Sequence, residues 1–438
     1  TSDARTSTRI VGCLPVNHMT NLQISPSPLS TTALPREFYV ALAATVLFAL
    51  GLTILVPIIP LYITDELGMA ERWIGTATLA VACVAVVTRI PAGALSDRLG
   101  RRKIMLVGAS LGLLASILYV LSQSFAIFLT ARILTGASLA MFTTTSKALA
   151  ADLAPPRRRG EALGLSNAAF SLATIASPLV SEGLKNAVSF QAVFVLSGLL
   201  SILALLITYT LPRTRPEVTS NLGARSDIRN TLHERGTWAA LLLMAGLGAV
   251  LALMFTFYPF LAERKNLLHD APAALGGVAM GLGLSIWAFM NMVVEPLAGR
   301  LSDRIGRQQV VAPGLILVAL GVIALSRAHN FVSTYTAIAV LAAGWAAVSS
   351  AANSISQDAV APMLRGMGAA MLYTSFDLAV GIDAQILSML IDGDDFGMFF
   401  AVLLGMVSSF GLAGLLLSKR LIAYEQRLPI QETTSSAD

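Results

Sequence analysis

From Phe38 to Leu417 the chain is a succession of apolar stretches separated by short polar loops. Each is close to the ~20 residues that a helix needs to cross a bilayer core. Twelve spans fit, the first over 38–62, the seventh over 237–261, the eleventh over 366–390 and the last over 396–417. Lipid offers the backbone no hydrogen bonds, so such segments must be helices or a closed barrel. The strict alternation of a membrane barrel is absent. The fold class is therefore all-α membrane protein with twelve transmembrane helices. Only 13% of the 438 residues are charged, against about a quarter in a soluble chain.

The cations that remain are placed unevenly. Arg98, Arg101, Arg102 and Lys103 share one loop, and Arg157, Arg158 and Arg159 share the next loop on the same side. The opposite loops hold Arg72, Lys185, Arg264, Lys265 and Arg327. This bias puts both termini in the cytoplasm. The net charge of +5 thus records topology, and no nucleic-acid partner is expected. Residues 1–36 are Ser/Thr/Pro-rich without an apolar core and read as a disordered cytoplasmic tail. The expected units are 37–212 and 237–420, a six-helix bundle each, joined by a cytoplasmic linker at 213–236 and followed by a tail at 421–438.

The two bundles are copies. "GALSDRLGRRK" at Gly93 recurs as "GRLSDRIGRQQ" at Gly299, 206 positions later, and "DLAPPRRRG" at Asp152 recurs as "DAVAPMLRG" at Asp358. Repeated halves are typical of secondary transporters, whose site lies between the repeats near mid-membrane. The first stretch resembles the cytoplasmic loop signature of the major facilitator superfamily at Gly93, Asp97, Arg98, Gly100, Arg101 and Arg102. Its echo keeps Gly299, Asp303, Arg304, Gly306 and Arg307 but has Gln308 and Gln309 where a basic residue is usual, which lowers its expected salt-bridge capacity. The resemblance implies two pseudo-symmetric bundles, span 2 beside span 11, span 8 beside span 5, and a cavity lined by spans 1, 4, 7 and 10. It also implies that Asp97 docks at the start of span 11, near Gly366, and Asp303 at the start of span 5, near Gly160, while the cytoplasmic side is closed. A purely topogenic loop is the alternative.

Ionisable groups within spans are functional candidates by default. Arg132, in "LTARILTGASLA", resembles the superfamily's fourth-span signature together with Gly136. Asp377 in span 11 lies about 16 Å along its helix from Gly366, at a depth similar to Arg132. The two are expected to pair as a proton-coupling site, because burial favours a protonated carboxyl and a guanidinium favours an ionised one. A static ion pair, or a bond from Asp377 to Tyr373, is the alternative. Asp383 and Glu182 lie farther out and are expected to face water, though either could carry the proton. Arg89 reads as a snorkelling cation. Its repeat equivalent Glu295, with Asn291 nearby, could line the inner gate. Lys147 and Asn353, also repeat equivalents, sit in polar runs of spans 4 and 10.

Pro57 and Pro60 in span 1 and Pro259 in span 7 each remove a backbone donor and loosen the outer ends of those helices. The residues around Pro57, Pro60 and Tyr62 also resemble the first span of twelve-span drug:proton antiporters. Span 5, "ASPLVSEG", departs from that group's Gly-Pro signature at Ser177, Ser181 and Glu182. Aromatic and Met residues of spans 7 and 8, among them Phe255, Trp287 and Met290, could form a soft wall for lipophilic substrates. The expected function is proton-coupled efflux of lipophilic drugs or small metabolites across the plasma (inner) membrane, by a chain working as a monomer. Import of a polar metabolite by symport or uniport is the alternative, and a non-transporting scaffold a remote one. Enzyme motifs, a cofactor site and metal-ligand spacing are not expected: Cys13 and Cys83 stand apart, and the four histidines lie in tails or loops.

Overall fold

The computed structural model describes residues 34–155, 158–212, 235–275, 277–360, 365–391 and 396–425. Twelve long helices run back and forth: α1 Arg36–Thr53, α2 Arg72–Leu99, α3 Arg101–Val120, α4 Phe125–Leu153, α5 Arg159–Ala187 and α6 Phe190–Thr210, then α7 Arg235–Ala252, α8 Ala279–Ile305, α9 Arg307–Ser326, α10 Phe331–Asp358, α11 Arg365–Ser388 and α12 Gly397–Glu425. The twelve helices match the twelve expected spans, and among the described residues eleven of them are long and apolar enough to cross a membrane. The 24-residue α11 is long enough but diluted by Thr374, Ser375, Asp377, Asp383 and Gln385. Such a load is tolerable in a bilayer only on a helix whose polar side faces protein or a cavity.

Packing repeats with the sequence. In the first half α3 packs on α4 and α6, α2 on α4, and α1 on α5 and α6. In the second half α9 packs on α10 and α12, α8 on α10, and α7 on α11 and α12. The halves meet along two long seams, α2 against α11 and α5 against α8, as expected. Small residues let backbones approach at such crossings: Gly381 of α11 sits on Ala82 and Leu79, and Gly281 of α8 sits on Pro178.

Both prolyl-marked helices break where the missing donors predict. After Thr53, α1 passes through a turn to Ile59–Leu61 and a π-helical segment, Tyr62–Glu66. After Ala252, α7 widens into a π-helical segment, Leu253–Phe257, before Tyr258–Arg264. Insertions of this kind absorb a lost i→i−4 bond and mark points of bending. The sharp reversals from α2 to α3 and from α8 to α9 turn on Gly100 and Gly306, at φ 96° and 100°, a region that side chains avoid.

The two ends of the seams differ. We call the face bearing the start of α1 and the end of α12 proximal, and the other distal. Polar contacts between the halves gather distally: Arg264 with Glu71, Ser388 with the Arg72 carbonyl, Thr76 with Gln385, Asn186 with the Gly277 carbonyl and Ser285 with the Ile175 carbonyl. Proximally, Leu95 and Leu99 of α2 and Leu163 and Leu165 of α5 are exposed, and Gly164 has no atom within 4 Å of where a side chain would start. The distal end is shut and the proximal end parted.

Candidate functional site

A cavity of about 380 Å³ lies between the halves at mid-depth. Its walls come from α1, α2, α4 and α5 on one side and from α7 and α11 on the other. Most of the lining is apolar, with Val56, Val81, Phe170, Leu251 and Phe255 contributing. Arg132 and Asp377 are its charged lining residues, and Thr78, Thr174 and Thr256 add hydroxyls. α10 supplies no lining residue among those described, contrary to the expectation from resemblance. Asn353 instead bonds the Ser349 carbonyl on its own helix. The expected α8 wall is also absent from this cavity: Trp287 is buried against Trp345, while Phe289 and Met292 point outward, exposed.

The expected Arg132–Asp377 pair does not form. Arg132 Nε donates to the Ala77 carbonyl of α2 at 3.1 Å. Gly136, one turn along α4, makes this possible: an added Cβ would come 2.5 Å from the Val81 carbonyl oxygen, so α4 lies directly on α2. Asp377 pairs instead with Arg89 of α2. Arg89 does not snorkel. Its guanidinium turns inward across the α2/α11 seam, and both side chains are about one-fifth exposed (17% and 22%). The ion pair thus joins one half to the other at the cavity's edge.

Lys147 and Glu295 lie on the proximal side of that pair. Lys147 Nζ sits 5.0 Å above the Tyr373 ring of α11, another contact between halves. Its electrostatic neighbours are Arg89, Asp377 and Glu295. Arg89 and Lys147 from the first half therefore face Asp377 and Glu295 from the second. Asn291 keeps to its own helix, donating to the Trp287 carbonyl.

Glu182 and Asp383, expected to face water, are buried at 5% and 4% exposure. Glu182 is covered where α5 meets α8, at the edge of a small distal pocket, and Asp383 where α11 meets α7 of its own half. Glu182 accepts the Met280 and Gly281 N–H groups of α8 at 3.2 and 2.5 Å. Asp383 lies against Gly248 of α7, and its Oδ2 has no hydrogen-bond partner. The repeat held the signal for Glu182: one offset carries Gly75 to Gly281 and Glu182 to Ser388, so the same seam is written twice.

The loop motif forms the same network in both copies. Arg101 pairs with Asp97 and, at 2.9 Å, with Asp152, and reaches Ser96 at 2.7 Å. Arg307 pairs with Asp303 and, at 3.1 Å, with Asp358, and reaches Ser302 at 2.9 Å. The glutamines at 308 and 309 do not weaken the second copy, because the network uses the arginine that follows Gly100 and Gly306, which both copies keep. Arg98, Arg102 and Arg304 stand outside it, and Arg102 lies over the Tyr209 ring. Residues 156–157 and 361–364, beside the expected docking sites at Gly160 and Gly366, lie outside the described residues.

A second cavity of about 500 Å³ sits distally between α9 and α12, lined by Lys265, Arg327 and Phe400 among others. It draws on one half alone and is off the route between the halves. Lys265 donates to the Ser326 carbonyl there at 3.0 Å, and burial pulls its ammonium below the usual lysine range.

Comparisons with known proteins converge. An MFS-type transporter of Methanocaldococcus jannaschii is 22% identical over 389 residues, covering 86% of this chain and 98% of its own. The quinolone resistance protein NorA of Staphylococcus aureus is 25% identical over 176 residues, 40% of this chain and 45% of its own. Among solved structures, a peptide transporter POT in complex with sulfate superposes with a TM-score of 0.73 at 14% identity, covering 88% of this chain and 95% of that one. The nucleoside transporter NupG superposes with a TM-score of 0.73 at 13% identity, over 86% and 99%. The family model for the Major Facilitator Superfamily matches residues 41–384, and this chain belongs to that superfamily of transporters.

Proposed function

We propose that the chain is a proton-coupled exporter of lipophilic substrates, alternating between a proximal-open and a distal-open form. The proximal face is cytoplasmic on the charge bias of the loops, and the membrane is the plasma (inner) membrane. The observation that carries the reading is the Arg89–Asp377 pair at the edge of an apolar cavity. One partner belongs to each half, so rocking the halves changes their separation. Asp377 then alternates between a guanidinium and a proton as its partner. Proton uptake in one form and release in the other is what antiport requires. The name of the quinolone resistance protein NorA supports a drug-like substrate class.

The apolar walls select the body of the substrate, and Arg132 selects its polar end. Arg132 is the cavity's cation without a carboxylate partner in the described contacts, since Asp377 is taken by Arg89. Amphiphiles with an electron-rich or anionic end fit best. Asp97 and Asp303 serve the same cycle in its other half: by the register of the seams they face the starts of α11 and α5, where free backbone N–H groups attract a carboxylate.

The test is accumulation of ethidium and of an anionic dye in cells with and without the protein. Expression should lower dye content, and an uncoupler should restore it. Asp377→Asn should abolish the uncoupler-sensitive part while the protein still reaches the membrane. Efflux that survives both the uncoupler and Asp377→Asn would reject proton coupling. Uncoupler-sensitive uptake of a polar solute would favour import.

A further inference from the structure

The two distal seams are built alike and differ at one side chain. On the α2/α11 seam, a Cβ added to Gly75 would lie 2.5 Å from the Ala384 carbonyl oxygen. On the α5/α8 seam, a Cβ added to Gly281 would lie 2.4 Å from the Pro178 carbonyl oxygen. Gly75 and Gly281 are repeat equivalents, as are Pro178 and Ala384. Next along the helix, the equivalents diverge. Ser388 closes its seam with a neutral bond from Oγ to the Arg72 carbonyl at 3.2 Å. Glu182 closes the other with a carboxylate that takes two N–H groups from the first turn of α8. Those N–H groups have no partner within the helix, and the helix dipole there favours negative charge.

Glu182 has no salt-bridge partner among the described residues. The charged and titratable groups facing it are Lys185 on its own helix, Glu263 and Tyr258 beyond the bend in α7, and Tyr335 on α10. Tyr335 is occupied with the Ala279 carbonyl. A distal pocket of about 260 Å³, lined by Glu182, Lys185, Asn186, Glu263, Asn266 and Met280 among others, connects the carboxylate to that face. A proton can therefore reach it without passing through the central cavity.

We propose that Glu182 is a proton-operated latch on the distal gate: ionised, it caps α8 and holds the α5/α8 seam shut; protonated from the distal side, it lets go. Protonation removes the negative charge that the helix end attracts and weakens as acceptor the oxygen that takes the proton, one of the two that each hold an N–H group. The seam is held while Glu182 is ionised and weakens as distal pH falls. Its twin at Ser388 does not respond, so acid loosens one side of the gate. The latch rests on the proposed orientation and on alternating access. It does not need Asp377 to carry a proton.

The experiment reads gate opening without transport. In a background with Cys13→Ser and Cys83→Ser, Ser285→Cys places a thiol one turn below Gly281, buried in the closed seam. Right-side-out vesicles receive a membrane-impermeant thiol reagent at external pH values from about 8 down to about 5, approaching the carboxylate range. Rates are normalised to exposed His269→Cys, which cancels the pH dependence of the thiol itself. Normalised labelling should rise roughly three- to thirty-fold towards acid, the range set by helix-end electrostatics. Glu182→Gln and Glu182→Ser should both raise labelling at pH 8 and flatten the profile. Asp377→Asn should leave the pH dependence in place, even if it shifts the baseline and abolishes coupled efflux. A flat profile in the parent overturns the latch whether or not the Glu182 variants fold. So does a Glu182→Gln profile that still follows pH.

Discussion

Arg89 takes the partner expected of Arg132, and the difference shows what a membrane sequence reveals about single side chains. Depth along a helix is readable from residue counts, so Arg132 and Asp377 can be placed near mid-membrane and Arg89 nearer the cytoplasmic end of its span. Direction around the helix depends on which neighbour lies close. Gly136 lets α4 settle on α2, which ties Arg132 to the Ala77 carbonyl. Arg89 is left facing α11 and meets Asp377, 288 residues away. Glu182 and Asp383 differ from expectation for a related reason: counting puts them near the interface, but helix packing covers them, across the α5/α8 seam for Glu182 and against α7 for Asp383. The pairings predict different phenotypes. Arg89→Gln strands Asp377 without its cation, at a cost on the order of 2 kcal/mol, and removes the partner proposed to alternate with the proton. Uncoupler-sensitive efflux should fall at least about tenfold, with the apparent KM for substrate little changed. Arg132→Gln should instead raise the KM for anionic amphiphiles about tenfold and spare cationic dyes. Transport assays with one dye of each charge separate the two.

Element by element, the sequence is most explicit at its prolines and at the loop glycines. Pro57 and Pro60 announce the broken end of α1, and Pro259 announces the π-helical bend of α7. What proline cannot announce is the form of the break, because the lost bond can be absorbed by a turn or by a wider helix, and packing chooses. Gly100 and Gly306 carry the reversals into α3 and α9 at positive φ, and the matched spacing of both copies made these turns legible. Gly306 gives a clean test, since nothing lies within 4 Å of an added Cβ and only backbone strain can act. Gly306→Ala should destabilise the second half by about 1–3 kcal/mol. Thermal unfolding in detergent should show this as a lowered midpoint. Gly164→Ala, equally open but inside α5, should be neutral or slightly stabilising.

For the whole molecule, the offset that copies each loop also copies each packing contact, from α3 on α4 to α9 on α10. That is why the architecture could be anticipated while the cavity walls could not. The walls depend on how the halves pack, and here α2, α5 and α11 join the lining. In the proposed cycle the two seams act as opposed hinges: closing one end of a rigid bundle pair opens the other. Thr76 and Gln385 meet across the α2/α11 seam at 3.0 Å, distal to the cavity and clear of its lining. Thr76→Cys with Gln385→Cys, in the cysteine-free background, should cross-link under mild oxidation and hold the distal end shut. Efflux should then drop more than about tenfold and recover on reduction, while each single variant transports under both conditions. The locked protein should still bind substrate from the proximal side, because the cavity remains open to that face. Binding lost together with transport would mean the distal seam shapes the cavity itself. Transport that persists in a fully cross-linked sample would mean the halves do not part along α2 and α11.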